Sequence, residues 1–184
     1  DHRTLGENHH DLSSALNNQG QLHFKLGRPE EGDSLLREAL AINRRIFGEN
    51  HEAVSANLAN LALIVRERGD FDEAERLLEQ AMTIDRTLYG DAHINIGFDL
   101  NEIAVVLRLR DRPDSAAVLL RHALAISRRI SGESDRGTLA ISVNLGRALA
   151  DGGHFVESEL LLRGALAKLE TTNADVQPLI IPAR

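Results

Sequence analysis

The chain has no cysteine and no tryptophan, and aromatic residues make up only 3% of its 184 positions. Without cysteine there is no disulfide framework, no thiolate nucleophile and no cysteine-based metal site. Without aromatic bulk, the 42% of hydrophobic residues must build a core from Leu, Ile, Val and Ala. Leu and Ala are strong helix formers, and only four prolines interrupt them. Lysine is scarce too: among 21 basic residues only Lys25 and Lys168 are lysines. The net charge is −7, so the basic face of a nucleic-acid-binding domain is not expected. No apolar run approaches the roughly 18 residues of a membrane span. The first ten residues are polar, unlike a signal peptide. The opening Asp1 points to a fragment of a longer protein, and the expected location is cytoplasmic.

What is present is a period. LGENH at 5–9 returns as FGENH at 47–51 and YGDAH at 89–93. Gly6, Gly48, Gly90 and Gly132 share one register, as do Leu36, Leu78, Leu120 and Leu162, and Ala39, Ala81, Ala123 and Ala165. Such self-similarity defines a repeat array. Its units run 6–47, 48–89, 90–131 and 132–170. Residues 1–5 are read as the end of a preceding helix, and 171–184 as an extended tail or linker.

Within a unit the apolar spacing is helical: Val54, Leu58, Leu61, Ala62 and Val65, then Ala74, Leu77, Leu78, Ala81 and Ile84. Arg68-Gly69-Asp70 breaks the two runs. Gly69 can take a positive φ, and Asp70 can cap the next helix with Glu73 three residues on. Pro29 and Pro113 fit a first helical position. Small residues at Gly20, Ala62, Ala104 and Gly146, and at Gly32, Ala74, Ala116 and Ser158, allow close helix approach. One helix pair cannot bury its own apolar face, so stacking supplies the core. The recurring phrase is the joint between units.

These phrases, with LNNQG (16–20), LANLA (58–62), GDFDEAERLLEQAMTI (69–84) and RHALAI (121–126), resemble the tetratricopeptide repeat in the 42-residue form familiar from kinesin light chains. The resemblance covers about residues 1–170. It departs where the family usually has proline after the joint histidine: here stand His10, Glu52 and Ile94. In the fourth unit Asp135 replaces the histidine, and Ser142 stands in the column of Leu16, Leu58 and Leu100, so looser packing is expected there. The resemblance implies an all-α, right-handed superhelical solenoid of antiparallel helix pairs, acting as an adaptor. Relatives usually bind peptides in a concave groove lined by the first helix of each pair, and bacterial versions are often joined to kinases or other signalling domains.

On that basis the groove candidates are Asn17, Asn18, Gln21, Phe24, Asn60, Leu63, Arg66, Asn101, Glu102, Val105, Arg108, Asn144 and Arg147. An asparagine amide can both donate to and accept from the backbone of an extended segment. Arg66 and Arg108 can pair with carboxylates. Phe24, Leu63 and Val105 offer apolar contact. The bland alternative is a set of solvated helix faces. The carboxylate clamp of chaperone-binding relatives is not expected, because Phe98 and Glu102 stand where a base is needed.

Other motifs lose to the repeat. GDSL at 32–35 belongs to a hydrolase class, but Leu35 is a packing column and Ser34 lies mid-helix, not on a strand-to-helix elbow. RGD at 68–70 is explained by the inter-helix turn. His9, His51 and His93 recur one per unit, too far apart to share a metal. No enzyme activity, cofactor or metal is expected. The partner is a peptide or protein, with neither nucleic acid nor membrane involved. In the tail, Pro178 and Pro182 bracket Leu179–Ile181, a candidate strap for the last helix or for self-association. The rival readings are a structural self-assembly module and a regulatory appendage of a larger signalling protein.

Overall fold

The computed structural model describes residues 2–176, with side chains described for 11–170. Among the described residues the elements are all helices: α1 (His2–Lys25), α2 (Pro29–Phe47), α3 (Glu52–Glu67), α4 (Phe71–Tyr89), α5 (Ile94–Leu109), α6 (Pro113–Ser131), α7 (Arg136–Asp151) and α8 (Phe155–Val176). They stack as antiparallel pairs into a solenoid. Each helix packs on its chain neighbours, and α1 also meets α3, as α5 meets α7. That second set of contacts puts the odd-numbered helices on the inside of the curve.

Local chemistry sets the boundaries. Pro29 and Pro113 open α2 and α6. Asp70 caps α4 by accepting from Glu73 N at 3.1 Å. Turns within pairs use Gly27, Gly69 and Gly153 at positive φ, and Asp111 takes the same conformation at φ 58°. Aspartate tolerates this left-handed region better than most residues do.

The joints are stricter. Gly48 has φ 79° and ψ −176°, and Gly90 has φ 79° and ψ 170°. This combination is essentially reserved to glycine. Three residues on, His51 caps α3, its Nδ1 accepting from Ala53 N at 3.2 Å, while its ring stacks on Phe47 with centroids 4.1 Å apart. His93 repeats the arrangement with Asn95 N at 3.3 Å and Tyr89 at 4.4 Å. The recurring phrase is therefore a stacked aromatic, a glycine turn and a histidine cap. In the fourth unit Asp135 takes over the cap, accepting from Thr138 N at 3.0 Å.

Two ends differ from expectation. The first joint is not a break: α1 runs unbroken through Gly6, where no helix pair precedes it among the described residues. The tail, expected to be extended from 171, is helical to Val176. Ala174 stands there in the joint-glycine column, so nothing forces the turn. Leu179–Ile181 and the proposed strap lie outside the described residues.

The core is aliphatic and continuous, with Leu36, Leu58, Leu61, Leu78, Ile96, Leu120, Ile141 and Leu149 fully buried. Glycines and alanines set the helix spacing as expected. A methyl on Gly146 would sit 2.6 Å from Leu162. Ser158 Oγ donates to Gly146 O at 2.7 Å across the same contact. The fourth unit has a cavity of about 420 Å³ between α6, α7 and α8, with Ser142 and Leu139, Leu145 and Leu161 among its walls.

Ion pairs clip successive units along both rims. On the even helices Arg37 reaches Glu73 at 2.9 Å and Arg121 reaches Glu157 at 2.9 Å. On the odd helices Arg66 reaches Glu102 at 2.7 Å and Arg108 reaches Asp151 at 3.0 Å.

Candidate functional site

The inner face is built by α1, α3, α5 and α7, and all thirteen candidate residues lie on these helices. The structure brings many of them together with each other. Asn57 Nδ2 and Asn60 Nδ2 both donate to Asn17 Oδ1, at 2.9 and 3.0 Å. Two units later Asn144 Nδ2 donates to Asn101 Oδ1 at 2.9 Å. Asn101 Nδ2 in turn donates to Glu102 Oε1 at 2.9 Å. The amides thus form rungs between adjacent odd helices. Asn101 is buried, Asn17, Asn60 and Asn144 are half-buried, and Asn18 is exposed.

The arginines are engaged in the same way. Arg66 is held by Glu102 and lies 3.6 Å from Glu67. Arg108 is held by Asp151. Their charge is compensated within the chain: the carboxylates they pair with are those of neighbouring repeats. Phe24 packs on the core rather than standing clear of it. Gln21, Leu63 and Val105 are half-buried, and Arg147 is exposed.

Between the odd helices lie recesses. The first, of about 310 Å³, is walled by Ser13, Ser14, Asn17, Asn18, Asn43 and Asn57 among others. It is polar and internally bonded: Ser13 Oγ donates to Asn43 Oδ1, and Asn43 Nδ2 donates to Asn57 Oδ1, each at 2.5 Å. The second, of about 190 Å³, is one repeat further on, and its walls include Ser55, Ala59, Asp85, Phe98 and Asp99. Burial, reinforced by the neighbouring Asp85 carboxylate and opposed by Arg86, pushes the Asp99 carboxyl up to about 7.

Sequence reasoning missed Asn43, Asn57, Asp85 and Asp99. Asn57 and Asp99 share one column, and Asn43 and Asp85 share another on the second helix. The signal was present: both columns change from amide to acid at the same joint, the one between the second and third units. Only the fold shows that the two columns face each other across a joint.

Models of the tetratricopeptide repeat match residues 11–87 and 100–136, together more than half of the chain. The chain belongs to the tetratricopeptide-repeat family. Its fold is that of kinesin-light-chain-like arrays. It is similar to BtubC (BKLC) from P. vanneervenii, with TM-score 0.79 and 23% identity over 94% of this chain and 68% of that one. It is also similar to the "kinesin light chain nearly identical TPR-like repeats" of Podosopora anserina, with TM-score 0.69 and 23% identity over 87% of this chain and 76% of that one. A variant of those repeats gives TM-score 0.72 at 23% identity, over 88% and 76% of the two chains. No curated protein matches the sequence. Among the described residues no helix is long and apolar enough to cross a membrane. A protein-interaction scaffold is the function class this fold supports.

Proposed function

We propose that the inner face of the odd helices binds an extended segment of a partner protein. The observation that carries this reading is the succession of open recesses, one between α1 and α3 edged by amides and one between α3 and α5 edged by acids, Ala59 and Phe98. Asn18, Gln21, Asn60 and Asn144 supply donors and acceptors for a peptide backbone. Leu63 and Val105 supply apolar contact between them. Asn17, Asn101, Glu102, Arg66 and Arg108 hold the helices in register, and Arg147 and Phe24 border the surface. Binding, not catalysis, is the role that follows.

The test is a peptide-display selection against the protein beside Leu63→Glu and Val118→Glu variants. Leu63 lies on an inner helix, whereas Val118 is 63% exposed on α6. Ligands lost with Leu63→Glu and kept with Val118→Glu support the groove. The reverse pattern moves binding to the outer helices and overturns it.

A second reading is end-to-end self-association. Phe155, Leu166 and Leu169 on α8 are exposed, whereas in the matching columns Phe71 is half-buried and Leu124 and Ser127 are buried. Concentration-dependent mass that disappears with Leu166→Glu/Leu169→Glu supports this reading. A concentration-independent monomer removes it.

A further inference from the structure

The joint between the second and third repeats does not satisfy itself. One joint earlier Asn43 and Asn57 are bonded amide to amide. One joint later the corresponding positions are Ser127 and Ile141, and the Ser127 hydroxyl bonds Thr138 Oγ1 at 2.7 Å. Between them stand two acids. Asp85 on α4 is 4% exposed and Asp99 on α5 is 6% exposed. Asp85 Oδ1 and Asp99 Oδ2 have no hydrogen-bond partner among the described residues.

A buried carboxylate without a partner is unfavourable, and two side by side are worse. Stacking does not require them, since the preceding joint closes on neutral amides. Among the described residues no cation forms an ion pair with either acid: Arg86, next to Asp85, donates to Asp91 Oδ1 at 2.9 Å instead. Both acids line the recess of about 190 Å³ that opens between α3 and α5. Phe98, 44% exposed, stands at its edge and offers a cation–π contact. Glu52 lies there too, its Oε2 accepting from the Tyr89 hydroxyl at 2.9 Å. The recess is smaller than the roughly 300–1,000 Å³ of small-molecule pockets, so it suits one side chain.

We propose that this recess is a subsite for a lysine or arginine side chain of the bound segment, its ammonium or guanidinium held by Asp85 and Asp99. The inference rests on the groove reading and gives it a sign: the segment is basic where it crosses the step from α3 to α5. The groove arginines agree, because Glu102 and Asp151 already neutralise Arg66 and Arg108. Burial raises the Asp99 carboxyl to about 7, and a cation entering the recess favours its ionised form.

The test uses random peptide pools with a fixed central Lys, Arg, Gln or Glu, measured by fluorescence anisotropy. The proteins compared are the parent, Asp85→Asn/Asp99→Asn, and Leu63→Glu. The double variant rebuilds the amide pair of the preceding joint, and a thermal melt checks its fold. The expected result is that Lys and Arg pools bind the parent at least about tenfold tighter than the Gln pool, and that the double variant abolishes the difference. Equal binding of all pools, lost in Leu63→Glu, leaves the groove standing and overturns the cation subsite. If no pool binds, the groove reading fails for short segments. The subsite is then decided by titrating ethylguanidinium while following the carboxyl carbon signals of Asp85 and Asp99. Saturable shifts support the subsite, and their absence overturns it.

Discussion

Asp99 shows how one side chain can make stability depend on pH. Its ordinary value is 3.8, and burial raises it to about 7 in the folded protein. Between those values the folded chain keeps a proton that the unfolded chain has lost. Stability therefore falls as pH rises from about 4 to about 7 and levels off above. Asp99→Asn should remove that slope. Near pH 8 the variant should be more stable than the parent by about 1–3 kcal/mol, the cost of an unsatisfied buried group. Near pH 4 the two should converge. Urea denaturation across this range measures both. The residue was legible in sequence as a column change, but its consequence was not. Asp85 and Asp99 are far enough apart in the chain that only stacking makes them neighbours.

At the scale of the element, the joint histidine has two separable jobs. His51→Ala should lose the cap on α3 and the stack on Phe47, costing about 0.5–2 kcal/mol. His51→Asp should recover most of that, because Asp135 already caps α7 in the same column. Chemical denaturation of the two variants separates the contributions. The leucine column gives another prediction: Ser142→Leu should stabilise the protein by about 0.5–2 kcal/mol by filling part of the recess between α6, α7 and α8. Calorimetry reads the shift. Helix starts and stops were largely readable from Pro29, Pro113, Gly69 and Asp70, because capping and proline chemistry act locally. The ends of the array were not. Gly6 carries the joint signature yet lies inside α1.

For the molecule as a whole, stability should be graded along the array. Units in a linear stack share their core only with neighbours. Among the described residues the α7–α8 pair is covered on one side, and Leu166 and Leu169 on α8 are exposed. Hydrogen exchange should therefore be fastest in α8 and slowest in α3–α6; uniform protection would show that the array opens as one unit. The solenoid itself was legible from the 42-residue register because every unit repeats the same burial problem. The groove was legible only in part. Sequence columns identify which residues share a face, but they do not tell that Asn17 and Asn60 spend hydrogen bonds on each other, or that Arg66 is taken by Glu102.

The ion pairs along the two rims give this coil mechanical character. Straightening it stretches the inner links, Arg66 to Glu102 and Arg108 to Asp151. Winding it tighter works against the outer links, Arg37 to Glu73 and Arg121 to Glu157. Each is a weak bond on its own, yet together they oppose bending in either sense, as the two flanges of a beam do. Dissolved salt screens charges over about 8–10 Å at moderate ionic strength. The protein should therefore behave as a spring whose stiffness is set by the solution around it, taut in dilute buffer and slack in brine.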